Sequence, residues 1–268
     1  MTRLLPIMWC VGCMSTPLEL PPQGSELTIS GYPDGLSGAK HFDRYVTVFG
    51  VYILATSAVS DDKLMHASRV MAAYLDNDQN GDVDDELVVG SMVDQDATLA
   101  MFGTNREARR VLRSGVLDEV YGQDLYETET DPEDGFDASL EEVLHLITGA
   151  GYARAYPEAF DEARSELTAA MDIARGGSFE DIPSSYPEDA WFHYDDRTCE
   201  YRCMATEYVY WALTSLLGAQ ADRCGEIRDE WELCTAAQVE ETDPAVTALL
   251  RDGRFTVPTI LPTGAYAP

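Results

Sequence analysis

Two short stretches carry residue types whose spacing can do chemistry. The first is Asp76-Asn77-Asp78-Gln79-Asn80-Gly81-Asp82-Val83-Asp84-Asp85-Glu86. Side-chain oxygens recur at alternate positions, and Gly81 allows the sharp turn that would gather them around one centre. A hard cation such as Ca²⁺ takes six to eight oxygen donors, so this pattern predicts a calcium cage. The second stretch is Glu141-Glu142-Val143-Leu144-His145. On a helix Glu141 and His145 lie four positions apart, share a face and can hold one ion from the same side. A third ligand must come from elsewhere. Glu207 is the candidate, because it is the one acidic residue in an otherwise apolar helical stretch. Carboxylates are rarely buried without a partner or a metal.

The first stretch resembles nine positions of an EF-hand-type loop. Asp76, Asp78 and Asn80 fall at ligand positions 1, 3 and 5, and Gly81 falls at position 6. Asp82 would offer its backbone carbonyl at position 7, and Asp84 occupies position 9. Position 12 is Leu87 instead of Glu, so Glu86 or Asp85 would have to replace the bidentate ligand. The pattern is similar to the single DxDxNG calcium loops of exported bacterial proteins, which implies a structural ion. The competing reading is an Asx-rich turn without metal.

The second stretch resembles the HExxH helix of zincin metallopeptidases, with Glu141 in place of the first His. That resemblance spans about residues 40–218 and implies Zn²⁺ held by Glu141, His145 and Glu207. Glu142 would then be the general base, and Tyr208, Tyr210 or Tyr152 the oxyanion donor. Plainer readings stand beside it. Ser139 and Glu142 have capping-box spacing, Glu141 and His145 can form an ordinary i,i+4 pair, and Glu207 can bond a Tyr or pair with Arg202 or Arg223. His41, His66 and His193 are isolated in the sequence, and no G-x-S-x-G elbow is present.

Residues 1–12 have one basic residue, Arg3, then a short apolar run, and Cys13 follows. Val11-Gly12-Cys13 resembles the lipobox of bacterial lipoproteins, with Cys10 where Leu is usual. The expectation is a signal peptide over 1–12, a Pro-rich tether over 13–39 anchored to the membrane through a lipid on Cys13, and a folded domain over 40–262 in the cell envelope. Cys199, Cys203, Cys224 and Cys234 then remain, an even number that predicts two disulfides in any of three pairings. A four-thiolate zinc site is the rival.

The 268 residues include 18 Lys and Arg against 48 Asp and Glu, a formal net charge of −30. Such a surface repels nucleic-acid phosphates and anionic headgroups, so nucleic acid is excluded as a partner. Apolar residues make up 45%, enough to build a core.

Around the two stretches, residues 45–56 read as a strand broken at Gly50, and 61–75 as a helix capped by Ser60. Runs 87–92 and 97–102 read as strands, 106–117 as a helix and 118–137 as an acidic loop. Helices follow at 140–148, 157–174, 203–217 and 239–251. Strands early and helices late predict a single α+β domain, ordered as a zincin would be. Two functions follow: an exported calcium-binding module with a structural or binding role, or a zincin-like metallopeptidase.

Overall fold

The computed structural model describes residues 26–32 and 41–268, except 119 and 134. The predicted signal peptide, the predicted lipid attachment at Cys13 and most of the predicted tether lie outside the described residues. The remainder is α+β, as expected, with a five-stranded sheet in the first half and helices filling the second. The strands are β1 (Ser30–Gly31), β2 (Arg44–Val48), β3 (Val51–Ala55), β4 (Thr98–Phe102) and β5 (Gly122–Tyr126), adjacent in that order. β1, β2 and β3 pair antiparallel, whereas β3, β4 and β5 pair parallel.

The apolar run 45–56 is a hairpin and not one broken strand. Val48 pairs with Val51 across a two-residue turn, with Phe49 at φ 47° and Gly50 at φ 92°. Two positive φ values in succession match the twist of the flanking strands. β5 forms inside the stretch read as a loop, and within it only Leu125 is fully buried.

The parallel strands require crossovers. α1 (Asp61–Leu75) and α2 (Glu86–Asp94) connect β3 to β4, and α3 (Asn105–Leu112) connects β4 to β5. Period-two burial then sorts the side chains. Ile53, Leu99 and Met101 face the main core with α1 and α4 (Ser139–Leu146), while Leu54, Ala100 and Phe102 face a smaller core under α3.

Past α4 the chain makes a π-helical turn over Ile147–Tyr152, then α5 (Ala153–Ala155), α6 (Pro157–Phe160) and α7 (Glu166–Ala174). The predicted helix 157–174 is therefore two pieces, because Ser165 and Thr168 form a fresh capping box. α8 (Tyr201–Leu216) crosses the core, followed by α9 (Cys224–Ile227), α10 (Ala236–Thr242) and α11 (Pro244–Leu250). Pro244 starts α11 and splits the predicted helix 239–251, since it has no N–H to continue α10.

The cysteines resolve into Cys199–Cys203 and Cys224–Cys234, with Cα separations of 5.3 and 5.1 Å. The four sulfurs thus form two bonds rather than one thiolate cluster. Disulfides are characteristic of chains that fold outside the reducing cytoplasm. No described helix is long and apolar enough to cross a membrane.

Candidate metal centres

The acidic loop hangs between α1 and α2. Asp76 closes α1 and is fully buried. Its Oδ1 accepts from Asn80 N at 3.0 Å, and its Oδ2 accepts from Gly81 N at 2.9 Å and from the Tyr266 hydroxyl at 2.5 Å. Gly81 has φ 91°, so the glycine identified in the sequence is needed for this turn. Asp84 Oδ2 accepts from Asn77 N at 2.7 Å, bringing the end of the loop back to its start. One oxygen each from Asp76, Asp78 and Asp84 lies within 4.8 Å of the others. Asn80 bonds within the loop, its Nδ2 to Asp78 and its Oδ1 to Asp82 N at 2.8 Å. Burial raises the Asp84 carboxyl; the Asn77 N–H opposes this, while Asp78, Asp76 and Asp85 add to it.

The far end of the loop differs from expectation. Residues 87–92 belong to α2 and are not a strand. Asp85 is the N-cap, accepting from Leu87 N and Val88 N, and its other oxygen takes the Tyr156 hydroxyl at 2.8 Å. Glu86 is exposed in the first helical turn and does not join the converging carboxylates among the described residues. A helix therefore stands on each side of the loop.

A protein tail straps the loop from above. Asn77 donates through Nδ2 to the Ile260 carbonyl at 2.8 Å and accepts through Oδ1 from Thr259 N and Ile260 N, both at 2.8 Å. Ala267 N donates to Gln79 Oε1 at 3.2 Å.

The second centre lies where α4 meets α8. Glu141, His145 and Glu207 each place one ligand-type atom within 4.8 Å of the other two. His145 Nε2 stands 3.4 Å from Glu207 Oε2. Both atoms are buried, and neither has a hydrogen-bond partner. Two donors bound at about 2.1 Å to a tetrahedral ion lie about 3.4 Å apart, so the pair has the spacing of adjacent ligands. Glu207 Oε1 accepts from the Tyr194 hydroxyl at 3.1 Å. Tyr210 accepts from Gln220 Nε2 at 3.2 Å and stacks edge-on against His145, with ring centres 5.7 Å apart.

Glu142 is on the other side of the imidazole. Its Oε2 lies 3.6 Å from His145 Nδ1 and accepts from Gln123 Nε2 on β5. The Ser139 hydroxyl donates to Asp137 at 2.7 Å, and Glu142 is not part of a capping box. Tyr208 faces elsewhere: its hydroxyl donates to Asp243 Oδ2 at 2.5 Å. Tyr152 donates to the Thr256 carbonyl at 2.5 Å. His41, His66 and His193 have their own partners in Ser114, Asp137 and the Ala190 carbonyl.

The electrostatics of this centre are those of crowded carboxylates. Burial lifts Glu141 to about 8; His145 and Tyr210 oppose this, whereas Glu207 and Glu142 reinforce it. Burial pushes His145 down, but Glu207 and Glu142 outweigh it and hold the imidazole well above its ordinary value. Nearby, burial raises Glu129 to about 7; the Tyr126 N–H opposes this, and Glu142 and Asp124 add to it.

Of the residues predicted from sequence, Glu141, His145, Glu207 and Tyr210 come together, as do Asp76, Asp78 and Asp84. Tyr194 and Gln123 were missed. Each comes from a segment without helical periodicity, so no spacing rule links it to the centre. No family model, curated protein or solved structure matches the chain.

Proposed function

We propose that this is an exported, lipid-anchored domain braced by Ca²⁺ at Asp76, Asp78 and Asp84, in which Glu141, His145 and Glu207 hold a second divalent ion. Its role is structural or ligand-binding at the cell envelope. One observation carries the second centre. His145 Nε2 and Glu207 Oε2 are buried without a hydrogen bond and face each other at ion-pair distance, 3.4 Å, with Glu141 completing the set. Buried polar atoms without a hydrogen bond are rare, and an ion bridging the two would satisfy both. One imidazole and two carboxylates suit Zn²⁺. Glu142, on the Nδ1 side, suits the carboxylate that fixes the orientation of a metal-binding histidine.

Elemental analysis of purified protein tests this. After equilibration with Zn²⁺ and Ca²⁺ and dialysis, the wild type should keep both, and His145→Ala should lose zinc but keep calcium. Absence of a transition metal in the wild type defeats the second centre; absence of calcium defeats the first.

A metallopeptidase is the second reading. It is favoured by the order of strand, helix, further strands, Glu141/His145 helix and later Glu207 helix. A zinc ion there would polarise a substrate carbonyl. Glu142 would have to reach across the imidazole to act as a base.

A further inference from the structure

We propose that Cys199, Cys203 and Glu207 form a redox-gated metal site. While the two cysteines are bridged they bind no ion. Once a dithiol reduces the bridge, their sulfurs and a Glu207 oxygen take a thiophilic divalent cation, Zn²⁺ or Cd²⁺. This set shares Glu207 with Glu141 and His145, but it does not require an ion there.

Position brings the three residues together. Cys203 is in the first turn of α8, with Glu207 four positions further on and Cys199 four positions before. Residues four apart share a helix face, and the bridge holds Cys199 to that face although it precedes the helix. Both sulfurs and one Glu207 oxygen lie within 4.8 Å of one another. Among the described residues, Cys224–Cys234 has no third ligand-type side chain that close.

The bridge gives this carboxylate nothing. Glu207 is 6% exposed, and its Oε2 is buried without a hydrogen bond. Its Oε1 accepts from Tyr194, and Oε2 faces His145 at ion-pair distance. A disulfide has no N–H or O–H to offer on the remaining side. Two thiolates around a cation would turn that neighbour into part of a shared coordination shell. Zinc held by sulfur at about 2.3 Å in a tetrahedral site sets two sulfurs about 3.8 Å apart. With the Cα atoms 5.3 Å apart, rotation about the Cα–Cβ bonds supplies that spacing once the bond is open.

The bridge is also reachable and expendable. Cys203 is exposed whereas Cys199 is buried. The residues between them, Glu200, Tyr201 and Arg202, line a shallow groove of about 380 Å³. A thiolate of the dithiol therefore attacks the Cys203 sulfur. The S–S bond breaks, and its electron pair leaves on the Cys199 sulfur, which takes up a proton. The second thiol of the reductant then displaces Cys203 as a thiol and closes its own disulfide. Two electrons and two protons have passed from the dithiol to the cysteines, and a divalent cation replaces the two thiol protons. A disulfide that closes so short a loop adds least to stability. The first turn of α8 keeps its own hydrogen bond from Met204 N to the Glu200 carbonyl at 3.0 Å, so the helix outlasts reduction.

The test uses the full chain with C10S/C13S, so that only Cys199, Cys203, Cys224 and Cys234 respond. Protein is treated with dithiothreitol, freed of it without oxygen and titrated with Cd²⁺. The charge-transfer absorption of the cadmium–thiolate bond is the readout, and circular dichroism checks the fold. Reduced protein should show the band and oxidised protein should not. Losing even a residue that supports a metal ligand costs about 10–100-fold in affinity. C199S/C203S should therefore weaken cadmium binding by about tenfold or more, and E207Q likewise. E207D, with the charge kept on a shorter arm, should fall between E207Q and wild type, and it decides if E207Q does not fold. H145A should keep the band, so a missing zinc ion at His145 and a missing thiolate site are separate results. Absence of the band after reduction overturns the proposal, as does unchanged affinity in C199S/C203S or in the Glu207 variants. Loss of the band in H145A makes the sulfurs an extension of the His145 centre and overturns it too.

Discussion

His145 has a carboxylate on each side. Glu207 approaches Nε2 at 3.4 Å and Glu142 approaches Nδ1 at 3.6 Å. Without an added cation, this arrangement has too few positive charges for its acids, and the folded chain compensates by holding protons. Glu141 keeps its proton to about 8 and Glu129 to about 7, whereas both release it near 4.5 once unfolded. The folded state thus binds more protons than the unfolded state between those values, and stability must fall as pH rises through that window. We expect the melting temperature of chelator-treated protein to decline from about pH 4.5 to about pH 8. Zn²⁺ should flatten the decline by replacing the proton on Glu141. The measurement is a melting series with and without Zn²⁺. A flat profile in chelator would show that these carboxyls titrate normally.

At the scale of elements, α2 changes what the acidic loop is. Asp85 caps the helix, whereas Asp76 converges with Asp78 and Asp84, although they lie in one acidic run. Asp85→Ala removes an N-cap and a Tyr156 contact, a loss of about 1–2 kcal/mol in calcium and in chelator alike. Asp76→Ala should lower the melting temperature more in calcium than in chelator. It will still lower it in chelator, because Asp76 also binds Asn80 N and Gly81 N. If calcium makes no difference to the Asp76 loss, the cage is only a turn.

These elements also show what could be read from sequence. α1 was legible to the residue, since Ser60 accepts from Lys63 N and opens a helix over Asp61–Leu75. The Glu141/His145 face was legible from spacing alone. The strand predicted for 87–92 failed because Leu-Val-Val is β-prone, while the local signal for a helix was a single cap at Asp85. Position outranked propensity there: a residue holding two N–H groups at the end of a folded loop starts a helix. The hairpin at Phe49-Gly50 failed for a similar reason, because Phe at φ 47° lies outside the usual turn signals. β5 was hidden by its polarity, and its pairing with β4 is a long-range fact that no local window contains.

For the molecule as a whole, the carboxyl-terminal tail is part of the acidic loop's architecture. Asn77 grips Thr259 and Ile260, and Tyr266 donates to Asp76. Removal of residues 259–268 should weaken calcium binding and lower stability by about 2–4 kcal/mol, from hydrogen bonds worth about 1 kcal/mol each. Calorimetric titration of the truncated chain provides the check, and unchanged affinity would show that the tail is merely resting there.

That same grip fixes an order of events. Synthesis runs from the amino end, and Asn77 lies 182 positions ahead of Thr259. The loop must therefore leave the ribosome and wait, unstrapped and highly acidic, while the next 182 residues are made. Its last lock closes only when residues 259–267 arrive, so a chain interrupted before them is born with its clasp undone.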